Sequence, residues 1–328
     1  MGYHAAVRYL CGRLGQGFLV LFGVSVLSFL LAEAAPGSVF DEVKLDPRIS
    51  AATVAAMRDR YGLDRSLPGK YFDWLRSIPR GELGFSVAYN SPVGPLLWPR
   101  ARNTLLLTVT ATVLAWLIAV PVGTWAASRK GGWADGAVAG ATTALVSVPD
   151  LLLGLGLLLL AVRSGYFSTG GMVSIGFSEL GPWERVKDIV SHFLLPVTAL
   201  TLINVPVLVR HVRASLIDVL QAPFIHAARA AGIPERRLLF RHALRAAANP
   251  LISLLGLSVA ALLSASLVVE TIMSWPGLGP LLIEAVAARD LHLVVGAVLC
   301  STALLIAGNL VADGLLYLMD PRLRPKQA

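Results

Sequence analysis

Asn103-Thr-Leu-Leu-Leu-Thr-Val-Thr-Ala-Thr-Val-Leu-Ala-Trp-Leu-Ile-Ala-Val-Pro-Val-Gly-Thr-Trp-Ala-Ala-Ser128 contains no charged residue. Crossing about 30 Å of hydrocarbon takes roughly 20 apolar residues at about 1.5 Å each, and this run is long enough. Lipid offers backbone N–H and C=O groups no partner, so only helices and closed barrels span it. The run is continuous rather than alternating, which excludes the barrel. Five other segments read the same way: Leu14 to about Ala35; Gly136 to Val162, interrupted by Asp150; Phe193–Val209, short and expected to kink at Pro196 and Pro206; Ala246–Val269; and Leu293–Met319, with Asn309 and Asp313 near its end. The expected fold class is an all-α integral membrane protein with six transmembrane helices.

Bulk composition agrees. The chain has 328 residues, 55% of them hydrophobic and 15% charged, with a mean hydropathy of +0.69. Soluble proteins carry roughly 25% charged residues. The net charge of +8 does not read as nucleic-acid binding, because the positive residues collect at the ends of apolar runs. Cys11 and Cys300 fall toward opposite faces, so a disulfide is not expected and no metal-ligand spacing occurs. The run Leu14–Ala32 spans 19 residues, longer than the roughly 7–15 of a signal-peptide core. A retained first span is expected.

Short loops set the orientation. Arg8, Arg13, Arg129, Lys130, the seven Arg of 210–245, and Arg322, Arg324 and Lys326 all fall on one side. The loops 163–190 and 270–290 are balanced or acidic. The positive-inside rule then places both termini in the cytoplasm. The segment 36–102 is basic yet must lie outside; at more than 60 residues it is exempt from that rule. Its amphipathic pieces, 50–61 and 70–78, predict a small helical external cap between helices 1 and 2.

The loop 210–245 contains Phe224-Ile-His-Ala-Ala-Arg-Ala-Ala-Gly-Ile-Pro-Glu-Arg-Arg237. The alanines predict a helix that another protein can approach closely. Gly232 suits the left-handed residue ending it, and Pro234 with Glu235 starts a second short helix. Two readings stand on composition: a docking surface for a soluble protein, or a basic amphipathic hairpin on anionic lipid.

This segment resembles the EAA loop of ABC importer permeases, with His226-Ala227-Ala228 and Gly232 in the motif's places. It is most similar to the dipeptide/oligopeptide/nickel group, which reads approximately Y-V-R-T-A-R-A-K-G-L; Phe224, His226 and Ala231 depart from it. Leu30-Leu-Ala-Glu-Ala-Ala-Pro-Gly37, Tyr61-Gly-Leu-Asp64, Arg80-Gly-Glu-Leu-Gly84, Val269-Glu-Thr-Ile-Met-Ser-Trp-Pro-Gly-Leu-Gly279 and Asp320-Pro-Arg322 also fit that group. Ser38 stands where the group commonly has Asp.

The resemblance implies the type I ABC importer permease fold. It implies a three-part chain: 1–35, the cytoplasmic N-terminus and first helix; 36–102, the external cap; and 103–328, a five-helix core with coupling loop 210–245. It further implies a subunit of the bacterial inner membrane working with a homologous second permease, two ATP-binding subunits and an external substrate-binding protein. ATP and Mg would be bound by those partner ATPases. The coupling residues would be Phe224, His226, Ala227, Ala228, Arg229, Gly232 and Pro234. The cargo would be a short peptide, with nickel chelate or glutathione as alternatives.

Three features keep alternative readings. The turn at Trp275, Pro276 and Gly277 is either an interfacial anchor or an external gate or binding-protein contact. Asp150, after Pro149, either lines the pathway or is satisfied locally, since a charge in a span normally faces protein or water. Asn309 and Asp313 are expected to bond to neighbouring helices. No G-x-x-x-x-G-K-[ST] sequence occurs, because Gly69-Lys70 is followed by Tyr71. No nucleophile–base set is apparent, so an enzyme is not expected. An ion-coupled secondary transporter is the rival class. It would show an internal repeat and buried ionisable relays, whereas this sequence has one mid-span Asp and no visible repeat.

Overall fold

The computed structural model describes residues 2–34 and 66–319. The elements are α1 (Gly2–Ala34), α2 (Leu67–Ser77), β1 (Phe85–Ser86), β2 (Ser91–Pro92), α3 (Val93–Ser128), α4 (Trp133–Val146), α5 (Asp150–Ser164), α6 (Pro182–Leu220), α7 (Pro223–Ala230), α8 (Leu244–Ile272), α9 (Leu278–Ala287) and α10 (Leu291–Met319). Among the described residues, five helical stretches are long and apolar enough to cross a membrane, and six when the bent pair α4–α5 counts as one span.

Most helices outrun their apolar windows. Helix α3 starts ten residues before Asn103 because Val93, Leu97 and Ala101 recur at helical spacing and are buried against α9 and α10. The expected boundary at 102/103 therefore falls inside a helix. Helix α6 is not short. It runs through Pro196 and Pro206 for 39 residues, started by Pro182 in its first turn and by a Glu184 carboxylate that accepts the Gly181 N–H at 3.1 Å. At its other end Val212 and Leu216 are fully buried, so helix continues to Leu220, well into the expected loop 210–245.

The third expected span is two helices bent by 95°. Pro149 holds an extended conformation before α5. A proline also disfavours helix at the residue before it, so α4 stops and the chain turns.

The described residues fall into two compact units. One is built mainly from 105–275. Its core includes Leu107, Leu200, Leu262, Val269, Met273 and Trp275, and a second cluster joins Val212, Leu216, Ile225, Leu238 and Ala247. Arg213 pairs with the buried Asp135 through both nitrogens, one at 2.8 Å, tying α6 to α4. Helices α8 and α10 approach closely at Gly308, where an added Cβ would lie 2.5 Å from Val259. Asp313 pairs with Arg13 at 3.0 Å, and Asn309 packs on Gly256. The Arg13–Asp313 pair joins two helices, as expected, while the Asn309 contact with Gly256 is one of packing.

The other unit comprises residues 14–34, 66–104 and 276–304 among those described. Phe29 of α1 packs against Tyr71 and Trp74 of α2 at 5.2 and 5.1 Å. The cap is not wholly helical, because β1 and β2 form a short antiparallel hairpin. The Asp290 carboxylate holds it, accepting from Ser86 Oγ at 2.7 Å and Ala88 N–H at 3.1 Å. It also caps α10 through Leu293 N–H at 3.2 Å. The amphipathic piece 50–61, the motifs around Pro36, Gly37, Ser38 and Tyr61–Asp64, and the tail with Asp320–Arg322, Arg324 and Lys326 lie outside the described residues.

Candidate functional site

The segment after α6 folds as its residues dictate. Pro223 opens α7, an eight-residue helix. Gly232 takes φ +79°, while its N–H donates to Arg229 C=O at 3.0 Å and Ile233 N–H to Ala228 C=O at 3.2 Å. These two bonds form the Schellman closure that satisfies a helix's last carbonyls. Pro234 then leads into a turn at Glu235–Arg237. That turn is not a separate second helix, because it continues through a π-helical stretch, Leu238–Ala243, into α8. The sequence pattern gave no sign of that stretch.

One face of α7 is sealed to the fold by Ile225, which is fully buried in the cluster with Val212, Leu216 and Leu238. The other face carries His226, Ala227 and Arg229, all exposed, beside Phe224 at 51% exposure. Arg229 Nε pairs with Glu235 at 2.5 Å across the Gly232 turn, and that bond holds the guanidinium above its ordinary pKa. Phe240 is 58% exposed in a shallow depression with Pro234, Arg236 and Arg237. Ile225 and Phe240 went unnoticed in the sequence. An isoleucine preceding the polar His226 and a phenylalanine among arginines were the available signals.

Asp150 is the first residue of α5, exposed at the helix break rather than midway along a straight span. Its carboxylate makes no hydrogen bond among the described residues. It borders a cavity of about 530 Å³ between α4, α5, α6 and α8, lined mostly by Leu, Val, Ile and Ala, with Asn204, His211, Ser258 and Ser264 as its other polar groups. None of these four was singled out from sequence. Asn204, a polar residue two positions before Pro206 in an apolar helix, was the legible one.

Trp275 is fully buried, its ring 5.5 Å from that of Phe193. It is a core residue in this arrangement, neither an interfacial anchor nor an exposed contact. Pro276 is half-buried and its carbonyl accepts from Asn103 Nδ2 at 2.8 Å. Gly277 is buried, and the next N–H, of Leu278, donates to Thr104 Oγ1 at 2.8 Å. The turn is thus hydrogen-bonded to the start of the charge-free stretch of α3.

Apolar spans, one of them broken before Pro149, and a small-residue loop helix with an exposed face define a multi-span membrane protein. The chain belongs to the binding-protein-dependent transport system inner membrane component family, whose model matches residues 119–325. It is similar to the oligopeptide transport system permease protein AppB of Bacillus subtilis, with 34% identity over 317 residues, covering 96% of this chain and 98% of AppB. It is also similar to the dipeptide transport system permease protein DppB of Escherichia coli, at 32% identity covering 98% of this chain and all of DppB. The nickel import system permease protein NikB of Staphylococcus aureus is 31% identical, covering 97% and 92% of the two chains. A chain of the MetNI methionine ABC transporter, in inward-facing conformations, matches with a TM-score of 0.56 at 17% identity, covering 69% of this chain and 96% of that chain. The fold is that of a type I ABC importer permease, and the chain is an inner-membrane, multi-pass permease subunit of an ABC importer.

Proposed function

We propose that this permease moves short peptides inward by alternating access, driven by ATP hydrolysis in partner subunits. The observation that carries the coupling half is α7: a small-residue helix, closed by Gly232, anchored by Ile225 and exposed on its other face. Such a helix suits a groove on an ATPase. Ile225 links a push on α7 to α6 and α8, which share its buried cluster. Phe224, His226, Ala227, Ala228, Arg229, Gly232 and Pro234 form or flank the docking face. The full machine pairs this chain with a homologous permease, two ATP-binding subunits that hold ATP and Mg, and an external binding protein. Both termini and α7 face the cytoplasm, and 36–102 forms the external part that precedes the core.

The peptide cargo rests on the similarity to AppB and DppB; the similarity to NikB motivates a nickel arm in the test. Co-expression with candidate ATPase, second-permease and binding-protein genes from the same organism, followed by affinity purification of this chain, should retain ATPase subunits. Short peptides presented by the binding protein should stimulate their ATP hydrolysis. Transport by the lone chain, without ATPases, would overturn the reading. Stimulation by a nickel chelate but not by peptides would overturn the cargo alone.

A further inference from the structure

The turn joining α3 to α4 carries a surface of cations and tryptophans. Every fourth residue of α3 from Val109 to Trp125 is apolar and exposed: Val109, Val113, Leu117, Pro121 and Trp125. The next in that register is Arg129, an exposed cation. The opposite side of the helix, with Ala111, Ala115 and Ala119, is fully buried. From Val109 to Trp125 the helix rises about 24 Å, most of the roughly 30 Å of hydrocarbon, so the apolar strip ends where lipid headgroups begin. There Trp125 and Trp133 meet edge to face at 6.4 Å, with Trp133 76% exposed. The Arg129 guanidinium lies over the Trp125 ring, 5.3 Å from its centre, a cation–π placement. Lys130 is exposed beside it. Neither cation forms an ion pair among the described residues. Asp135, the acid of this turn, is already occupied, accepting the Gly131 N–H at 2.9 Å and pairing with Arg213. Those bonds also hold the turn that presents the two cations.

The geometry points to a binding site for the headgroup of an anionic phospholipid of the cytoplasmic leaflet, with Arg129 and Lys130 on the phosphate and Trp125 and Trp133 at headgroup level. This assignment rests on the orientation proposed above, which puts the turn on the cytoplasmic side. Arginine suits a phosphate because its planar fork donates in pairs. Tryptophan suits the interface because its ring is apolar and its N–H tip polar. An anionic leaflet attracts each basic residue near its surface. A zwitterionic lipid brings an ammonium that the two cations repel, so the net charge of the lipid is selected. The exposed apolar strip running into the site favours lipid over a soluble acidic protein, which would engage the cations alone.

The test uses the full chain in phosphatidylcholine nanodiscs. Cys11 and Cys300 are replaced by Ala, and Ser128→Cys, an exposed position next to Arg129, carries a fluorophore. Its quenching by spin-labelled phosphatidylglycerol is compared with quenching by spin-labelled phosphatidylcholine at equal mole fraction. The anionic lipid should quench more strongly by about threefold or more. Arg129→Gln combined with Lys130→Gln should erase that excess, and both side chains are exposed, so the fold is kept. Trp125→Leu, which removes the ring under Arg129, should lower the excess part of the way. Arg163→Gln, at an exposed cation near the end of α5, should leave it unchanged. Equal quenching in the parent, or an excess that survives the double glutamine change, would overturn the site. Loss of the excess with inorganic phosphate but not with chloride at the same ionic strength would make it a free-anion site. Loss on adding partner ATPases would make it a protein-docking surface, and either result would overturn the lipid assignment. Both leaflets of a nanodisc have the same composition, so the ratio is read whatever the sidedness. The orientation stands or fails separately, on the accessibility of Ser66→Cys in cells.

Discussion

Replacing Gly232 with Val isolates the backbone geometry of α7 from its contacts. Nothing lies within 4 Å of a Cβ added at this position, so the larger side chain meets open space. The penalty is conformational. At φ +79° an L-residue suffers a clash between its Cβ and its own backbone, about 1–3 kcal/mol for a non-glycine and toward the upper end for a β-branched one. If the chain relaxes to negative φ instead, it gives up the Gly232 and Ile233 hydrogen bonds to Arg229 and Ala228 and re-aims Pro234. Either way the docked arrangement is disfavoured by roughly 5- to 150-fold. Peptide-stimulated ATP hydrolysis of the assembled complex should fall by a factor in that range, or the ATPases should be lost on purification. Gly232→Asn, which tolerates the left-handed region, should stay within about threefold of the parent, since its penalty is smaller. A Val variant that assembles, hydrolyses and transports like the parent would refute the reasoning, as would an Asn variant as poor as Val.

Other consequences are equally open to measurement. Ser66, exposed at the start of α2, should as Ser66→Cys react with an impermeant maleimide added to outer-permeabilised cells carrying Cys11→Ala; labelling only after inner-membrane lysis would invert the topology. Asp150→Asn keeps shape and removes charge, so uptake of free-amine peptides should fall severalfold more than uptake of N-blocked ones; equal loss of both would take the residue out of cargo recognition. Trp275→Ala should destabilise the chain by about 3–5 kcal/mol, the range for emptying a buried aromatic site, and lower the yield of assembled complex. Trp275→Phe should retain most of both; a stable Ala variant with selective loss of binding-protein stimulation would favour a contact role instead.

Much was legible in the sequence because membrane insertion and turn chemistry are local. A charge-free run such as Asn103–Ser128 must become a helix whatever surrounds it, since lipid leaves its backbone no other partner. Gly232 followed by Pro234 marks a left-handed helix end wherever it occurs, and the structure places φ +79° there. The EAA-like residues around them carried the family without any coordinates.

What local rules could not see was decided by packing. Val93, Leu97 and Ala101 extend α3 because α9 and α10 cover them, and Val212 and Leu216 extend α6 because α7 and α8 do. Trp275 reads as an interfacial turn residue, but Phe193, 82 positions earlier, covers its ring. The bend at Pro149 was foreseeable in kind; its 95° angle, and the cavity that Asp150 and Asn204 both line, were not. Sequence determined which segments are helices in lipid and where α7 ends, because those outcomes depend on each residue's own backbone and solvent. Only the tertiary structure decided which polar groups are buried together, because burial depends on residues distant in sequence that close over the same space.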